Sequence, residues 1–316
     1  MDDQLFNELK QKYEHLLQED FEKYNNYRKA GGWIVGIIFG IIFTIWVLMF
    51  TGISQMASPL LAILPIGLLV VSIYKVATYR KKGKGGANFN DKYQKTVVAD
   101  LLSHLYTDPT YYGLSDNPNL RQESKELYNY AAFDKGYDTF AVSYGWSMKY
   151  GDHNLKIYDL HTQERHEDSD GNTTYVTTFK GLFGEMTLPH NFNAEIQINK
   201  RGYNYTKLEK VNMDSVTFNK EYRVCASDKV LAMQLLTHDI MDKILELTAK
   251  SDKVKFEFRI INDKLYYRIF NYNTFTHDGK ELFDRKELDN DYKNAKLFIE
   301  ILDIIEKSAS DNSITE

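Results

Sequence analysis

Cysteine is almost missing from the chain. A single Cys225 in 316 residues excludes any disulfide within one copy, and with it the small stapled scaffolds of secreted proteins. A surplus of basic residues is missing too: 39 Lys and Arg stand against 44 Asp and Glu. Nucleic-acid binding, which relies on a basic face, is therefore not an expected activity. Charge of either sign is absent from Ala30 to Tyr74, where no Asp, Glu, Lys, Arg or His occurs. Motifs that carry chemistry are lacking as well: no H-E-x-x-H, no G-x-x-x-x-G-K-[ST] and no G-x-S-x-G is present.

The uncharged run is the strongest positive signal. One bilayer-spanning helix uses about 20 apolar residues, so the run has length for two, separated by the polar turn Thr51-Gly-Ile-Ser-Gln55. Arg28 and Lys29 precede it, Lys75, Arg80, Lys81, Lys82 and Lys84 follow it, and the turn has no Lys or Arg. By the positive-inside rule this predicts a two-span protein of the cell membrane with both termini in the cytoplasm. Arg80, Lys81, Lys82 and Lys84 are expected to meet lipid headgroups. Gly32, Gly36 and Gly40 recur every four residues and are expected to support membrane association by close helix packing, within the hairpin or between two copies. No ionisable residue lies inside the run, which disfavours ion or proton transport.

The organisation expected from sequence is an amphipathic helix over 1–30, a transmembrane helical hairpin over 31–78 and a basic, flexible Gly-rich linker over 79–90, followed by a cytoplasmic α+β domain over 91–307 and a disordered tail over 308–316. In the first helix Leu5, Leu9, Leu16, Leu17 and Phe21 recur near helical spacing. Helices are predicted over 91–106 and 118–131, one from an N-cap at Ser227 to Ala249, and another over 287–307. Period-two alternation marks strands at Leu155 and Ile157, at Thr173 to Phe179 and at Ala194 to Asn199. Another runs from Val254 to Ile260, where Lys255, Glu257 and Arg259 are expected to face water. Asp170-Gly171 and Asn262-Asp263 read as turns. Strands between groups of helices, without strict alternation, predict a mainly antiparallel sheet with packed helices.

Three sequence blocks, Val176 to Gly184 (VTTFKGLFG), Phe218 to Ser227 (FNKEYRVCAS) and Leu235 to Met241 (LLTHDIM), together with the uncharged run, resemble the bacterial membrane family catalogued as domain of unknown function 3137. The resemblance covers about Asp91 to Lys307 together with the hairpin; it implies homology and membrane attachment, and no activity comes with it.

Candidate chemistry gathers in one place. His153, His161 and His166, with Glu164, Glu167, Asp168 and Asp170, are residue types that bind zinc or manganese, although the spacing matches no known site. Cys225 lies in the apolar stretch Tyr222 to Ala226 and reads as packed. Phe179, Phe183 and Phe192 with Gly181 and Gly184 suggest a ligand groove or core aromatics beside strand bulges. No cofactor is implied. The expected partners are a lipid bilayer and a protein partner or second copy. The expected function is a membrane-anchored cytoplasmic binding or scaffolding module rather than an enzyme. The alternatives are a membrane-attached metal-dependent hydrolase and a channel or transporter subunit.

Overall fold

The computed structural model describes residues 1–53, 60–84, 86–133, 136–188, 190–200, 207–249, 255–270 and 280–311. The chain forms two compact units: Asp2–Val97 with His277–Arg285, and Val98–Thr276 with Lys286–Glu316 and Met1.

In the first unit a single helix, α1, runs without interruption over Asp3–Ile53, and α2 covers Leu60–Lys82. Asp2 caps α1 by accepting from the Leu5 amide at 2.8 Å, satisfying one of the donors a helix start leaves free. Leu5, Leu9, Leu17 and Phe21 are buried on α1, while Leu16 is exposed. Among the described residues no helix is long and apolar enough to cross a membrane. That finding overturns the two-span hairpin. The uncharged residues of α1 continue a charged helix instead of forming a separate one, and α2 runs on through Lys75 into Arg80, Lys81 and Lys82. Ser54 and Gln55 of the expected turn lie outside the described residues. Beyond α2 come a 3-10 turn at Gly86–Asn88 and α3 at Phe89–Tyr93. A π-helical turn at Gln94–Val98 leads to α4 at Ala99–Ser103. One helix was expected here; the structure interrupts it where Val97 and Val98 are buried.

The second unit is α+β and built on one large antiparallel sheet. Its strands are β1 (Thr107–Gly113), β2 (Thr139–Tyr150), β3 (His153–Glu167), β4 (Thr173–Thr187), β5 (Glu195–Lys200), β6 (Glu209–Val211), β7 (Tyr222–Ala226), β8 (Lys255–Ile261) and β9 (Lys264–Phe270). Its further helices are α5 (Leu120–Ala131), α6 (Val216–Glu221), α7 (Lys229–Leu235), α8 (His238–Ala249) and α9 (Arg285–Asp311). Among the described residues the strand order is β1-β2-β3-β4-β9-β8-β5-β7-β6, and each neighbouring pair is antiparallel.

Both faces of the central strands are covered. On one, Tyr128 of α5 stacks on Phe179 and meets Phe183 edge-on. On the other, Phe258 lies with Leu236, Ile240 and Ile305 from the helices. This is why Glu257 and Arg259, expected in water, are buried. Each has a partner, as buried charge requires. Arg268 Nε donates to Glu257 at 2.5 Å, and its Nη1 to the Tyr128 hydroxyl at 3.2 Å. Arg259 donates to the carbonyls of Ala131 and Ala132 at 2.7 and 3.1 Å and to Glu195 at 2.9 Å. It thus closes the C-terminal end of α5, where a cation is favoured. The Phe179 to Phe192 aromatics are buried and leave no groove at Gly184: a Cβ there would lie 2.1 Å from the Tyr267 ring. Glycine is the residue over which that ring can lie flat.

The helix expected over 227–249 divides. Asp228, not Ser227, caps α7 through the Val230 and Leu231 amides, and Leu236 leaves helical geometry with ψ 67 before α8 starts. The polar tail behaves differently from expectation as far as Asp311: α9 continues to that residue. Ser308 is buried and donates to the Leu235 carbonyl at 2.6 Å. Val254, the Leu247 and Phe298 side chains and residues 312–316 lie outside the described residues.

Candidate functional site

The first unit carries a surface that a monomer in water rarely keeps. Between Ile34 and Trp46 of α1 nine large apolar side chains are exposed, with Phe39 at 68%, and Val70, Val71, Ile73 and Tyr74 of α2 are exposed beside them. A contiguous apolar surface of this kind marks an interaction site. Gly32, Gly36 and Gly40 belong to the same part of α1, and a Cβ added at any of them would meet nothing within 4 Å.

In this unit, among the described residues, Gly83 and Gly86 make a close approach. A Cβ on Gly83 would lie 2.5 Å from the Tyr27 backbone nitrogen, and one on Gly86 2.6 Å from the Lys23 carbonyl. Real Cβ atoms do not come so near backbone, so only glycine lets this turn seat on α1. Gly83 N donates to the Tyr79 carbonyl at 2.8 Å and Gly86 N to the Gly83 carbonyl at 2.9 Å. Phe89 then stacks on Tyr24 at 5.0 Å and meets Phe21 at 5.6 Å. The segment expected to be a flexible linker is a packed turn. Periodic glycines were the visible signal, whereas this contact joins positions some sixty residues apart and leaves no local pattern.

The turn brings the cations together. Arg28 and Lys29 of α1, and Arg80, Lys81, Lys82 and Lys84 around the end of α2, are all exposed. From Lys23 to Asn90 the chain carries eight Lys and Arg and no Asp or Glu, although its formal net charge is −5. Lys23 is neutralised by Glu19 at 2.6 Å, a contact that raises its pKa chiefly through the hydrogen bond.

In the second unit the three histidines are held apart. His153, His161 and His166 lie along the one strand β3, eight and five residues apart, or about 26 Å and about 17 Å at strand rise. His153 is buried; its Nδ1 faces the Thr187 carbonyl at 2.8 Å and its Nε2 faces Glu306 of α9. Both ring nitrogens thus face acceptors, and the ring clamps β3 to α9 with no lone pair directed at a ligand. His161 Nε2 meets the Thr177 hydroxyl at 3.0 Å, and burial, then Lys180, lowers its pKa. His166 is exposed, 3.6 Å from Glu164. Among the described residues no three His, Cys, Asp or Glu groups gather closely enough to hold a metal ion. Cys225 is buried.

His153 also borders an open cleft of about 580 Å³ with Tyr150, Asp152, Leu188, Asp303 and Glu306. Tyr150 donates to Asp303 at 3.2 Å; partial burial and then the neighbouring Asp303 raise its phenol pKa. The cleft thus sets the carboxylates of Asp152, Asp303 and Glu306 beside the Tyr150 phenol.

Residues 177–307 match the family described as Protein of unknown function (DUF3137). The match runs from β4 to α9, a narrower stretch than the expected resemblance, which began at about Asp91. Nothing among curated proteins matches the chain. Among solved structures, the crystal structure of the mycobacterial trehalose monomycolate transport factor A covers 60% of this chain and 97% of its own, at 8% identity and a TM-score of 0.32. At that score the likeness supports neither a common fold nor a common role.

Proposed function

We propose that the chain is a binding module that associates with a lipid bilayer through its helical unit and presents its sheet unit to a protein partner. The exposed apolar band of α1 and α2 carries this reading. Leaving such side chains in water forgoes about 25 cal/mol for each Å² that lipid would cover. Binding is preferred to catalysis because the polar groups of the second unit are spent on each other: His153 on Thr187 and Glu306, Arg268 on Glu257. The cytoplasmic face of a cell membrane is the location we infer, since anionic lipid there attracts basic segments next to apolar ones.

Flotation of the full chain on phospholipid vesicles tests the reading. The protein is expected to rise with the vesicles, and to do so less after Phe39→Ser and Ile42→Ser. A chain that stays monodisperse without detergent and never floats, whatever the lipid, would falsify it. Crosslinking in native membranes is expected to return a reproducible partner for the second unit.

A further inference from the structure

We propose that the helical unit selects anionic phospholipid headgroups by means of a basic collar whose position is set by Gly83 and Gly86. The inference rests on the bilayer reading above and adds the lipid class and the device that recognises it.

The collar is a consequence of two backbone contacts. Gly83 lies on α1 at Tyr27, and Gly86 lies on it at Lys23. This fixes Arg80, Lys81, Lys82 and Lys84 beside Arg28 and Lys29 at one level of the helix pair. Lys29, Arg80, Lys81, Lys82 and Lys84 are exposed and form no ion pair with the described residues. Cations elsewhere in the same unit do pair with carboxylates: Lys23 with Glu19, Lys92 with Asp20 and Arg285 with Asp3.

The apolar band lies on the same two helices, beginning at Ile34 on α1 and ending at Tyr74 on α2. The order along the pair is therefore apolar band, then fixed cations, with acidic residues absent from both. A lipid surface presents the complementary order of acyl chain, then phosphate. A polynucleotide or an acidic protein would answer the cations but leave the band uncovered, which is why an anionic bilayer is the occupant. Each cation close to an anionic surface contributes roughly fivefold in affinity, and screening by salt shortens its reach.

The full chain is titrated with phosphatidylcholine vesicles and with vesicles in which about one third of the lipid is phosphatidylglycerol. The proposal expects at least tenfold tighter binding to the second, most of it lost between about 50 mM and about 500 mM salt. A variant with Arg80→Gln, Lys81→Gln, Lys82→Gln and Lys84→Gln should lose the preference and keep its binding to phosphatidylcholine. Equal binding of the native chain to both vesicles sinks the collar and spares the bilayer reading; no binding to either sinks the bilayer reading itself. Gly83→Ala, which forces the turn off α1, should cut the preference severalfold while the second unit keeps its melting temperature. An unchanged preference in that variant would show that the cations act from an unconstrained segment and would overturn the role of the glycines.

Discussion

Asp159 shows how much one side chain can couple stability to pH. Burial raises its carboxyl from the ordinary 3.8 to about 6, against the opposing pull of a hydrogen bond from Ser143 and the charge of Lys180. The folded chain then holds a proton at Asp159 that the unfolded chain has released, so this residue's contribution to stability falls as pH rises from about 4 through 6. Asp159→Asn is therefore expected to be more stable than the native chain at pH 7.5, by on the order of 1–3 kcal/mol, and equal to it near pH 4. Thermal melts at the two pH values decide, and a variant that gains nothing at pH 7.5 contradicts the account. Single residues also mark what sequence can reveal. Cys225 is packed as its apolar neighbours suggested, because burial follows local composition. The openness of Gly32 and the tightness of Gly83 could not be told apart, because a glycine's contact depends on which backbone reaches it.

Elements were legible where one period ran undisturbed. β4, β5 and β8 alternate over several residues and lie where alternation placed them. β2 was not read, since a bulge between Val142 and Gly145 shifts its phase. β1 was not read either: it begins at Thr107, directly after the helix expected over 91–106, and accommodates Asp108-Pro109 at an irregular register on an edge strand, with Asp108 at φ 53. The assumption that alternation means one wet face failed at β8 because α5 covers that face: its Ala131 carbonyl meets Arg259 and its Tyr128 hydroxyl meets Arg268. The Glu257 of β8 and the Arg268 of β9 form a buried pair, and such pairs are costly to break singly. Arg268→Met or Glu257→Leu alone is expected to destabilise by about 3–5 kcal/mol, and the double variant by less than either. Denaturant titration of the three variants measures the coupling, and additive losses would show that the two charges do not depend on each other.

At the scale of the whole molecule, charge and apolarity are segregated. The band and the collar share one unit, and the chain's acidic excess comes from residues outside 23–90. The uncharged run was plain in the sequence, yet what the helices do with it was not, since α1 carries it as the continuation of a charged helix. The strand order has a consequence of its own during synthesis. β1 to β4 form a meander of neighbours in sequence, but β4 finds its other partner only in β9, which begins at Lys264. A chain ending at Lys200 therefore carries a half-sheet with an unpatched flank, the kind of template that recruits other strands. Closing it waits for a distant segment, which slows folding. Chains truncated after Lys200 should accordingly be cut quickly by protease while full chains resist, and equal resistance would mean that the meander matures by itself. A cell making this protein has reason to keep a chaperone near the exit tunnel until the ninth strand arrives.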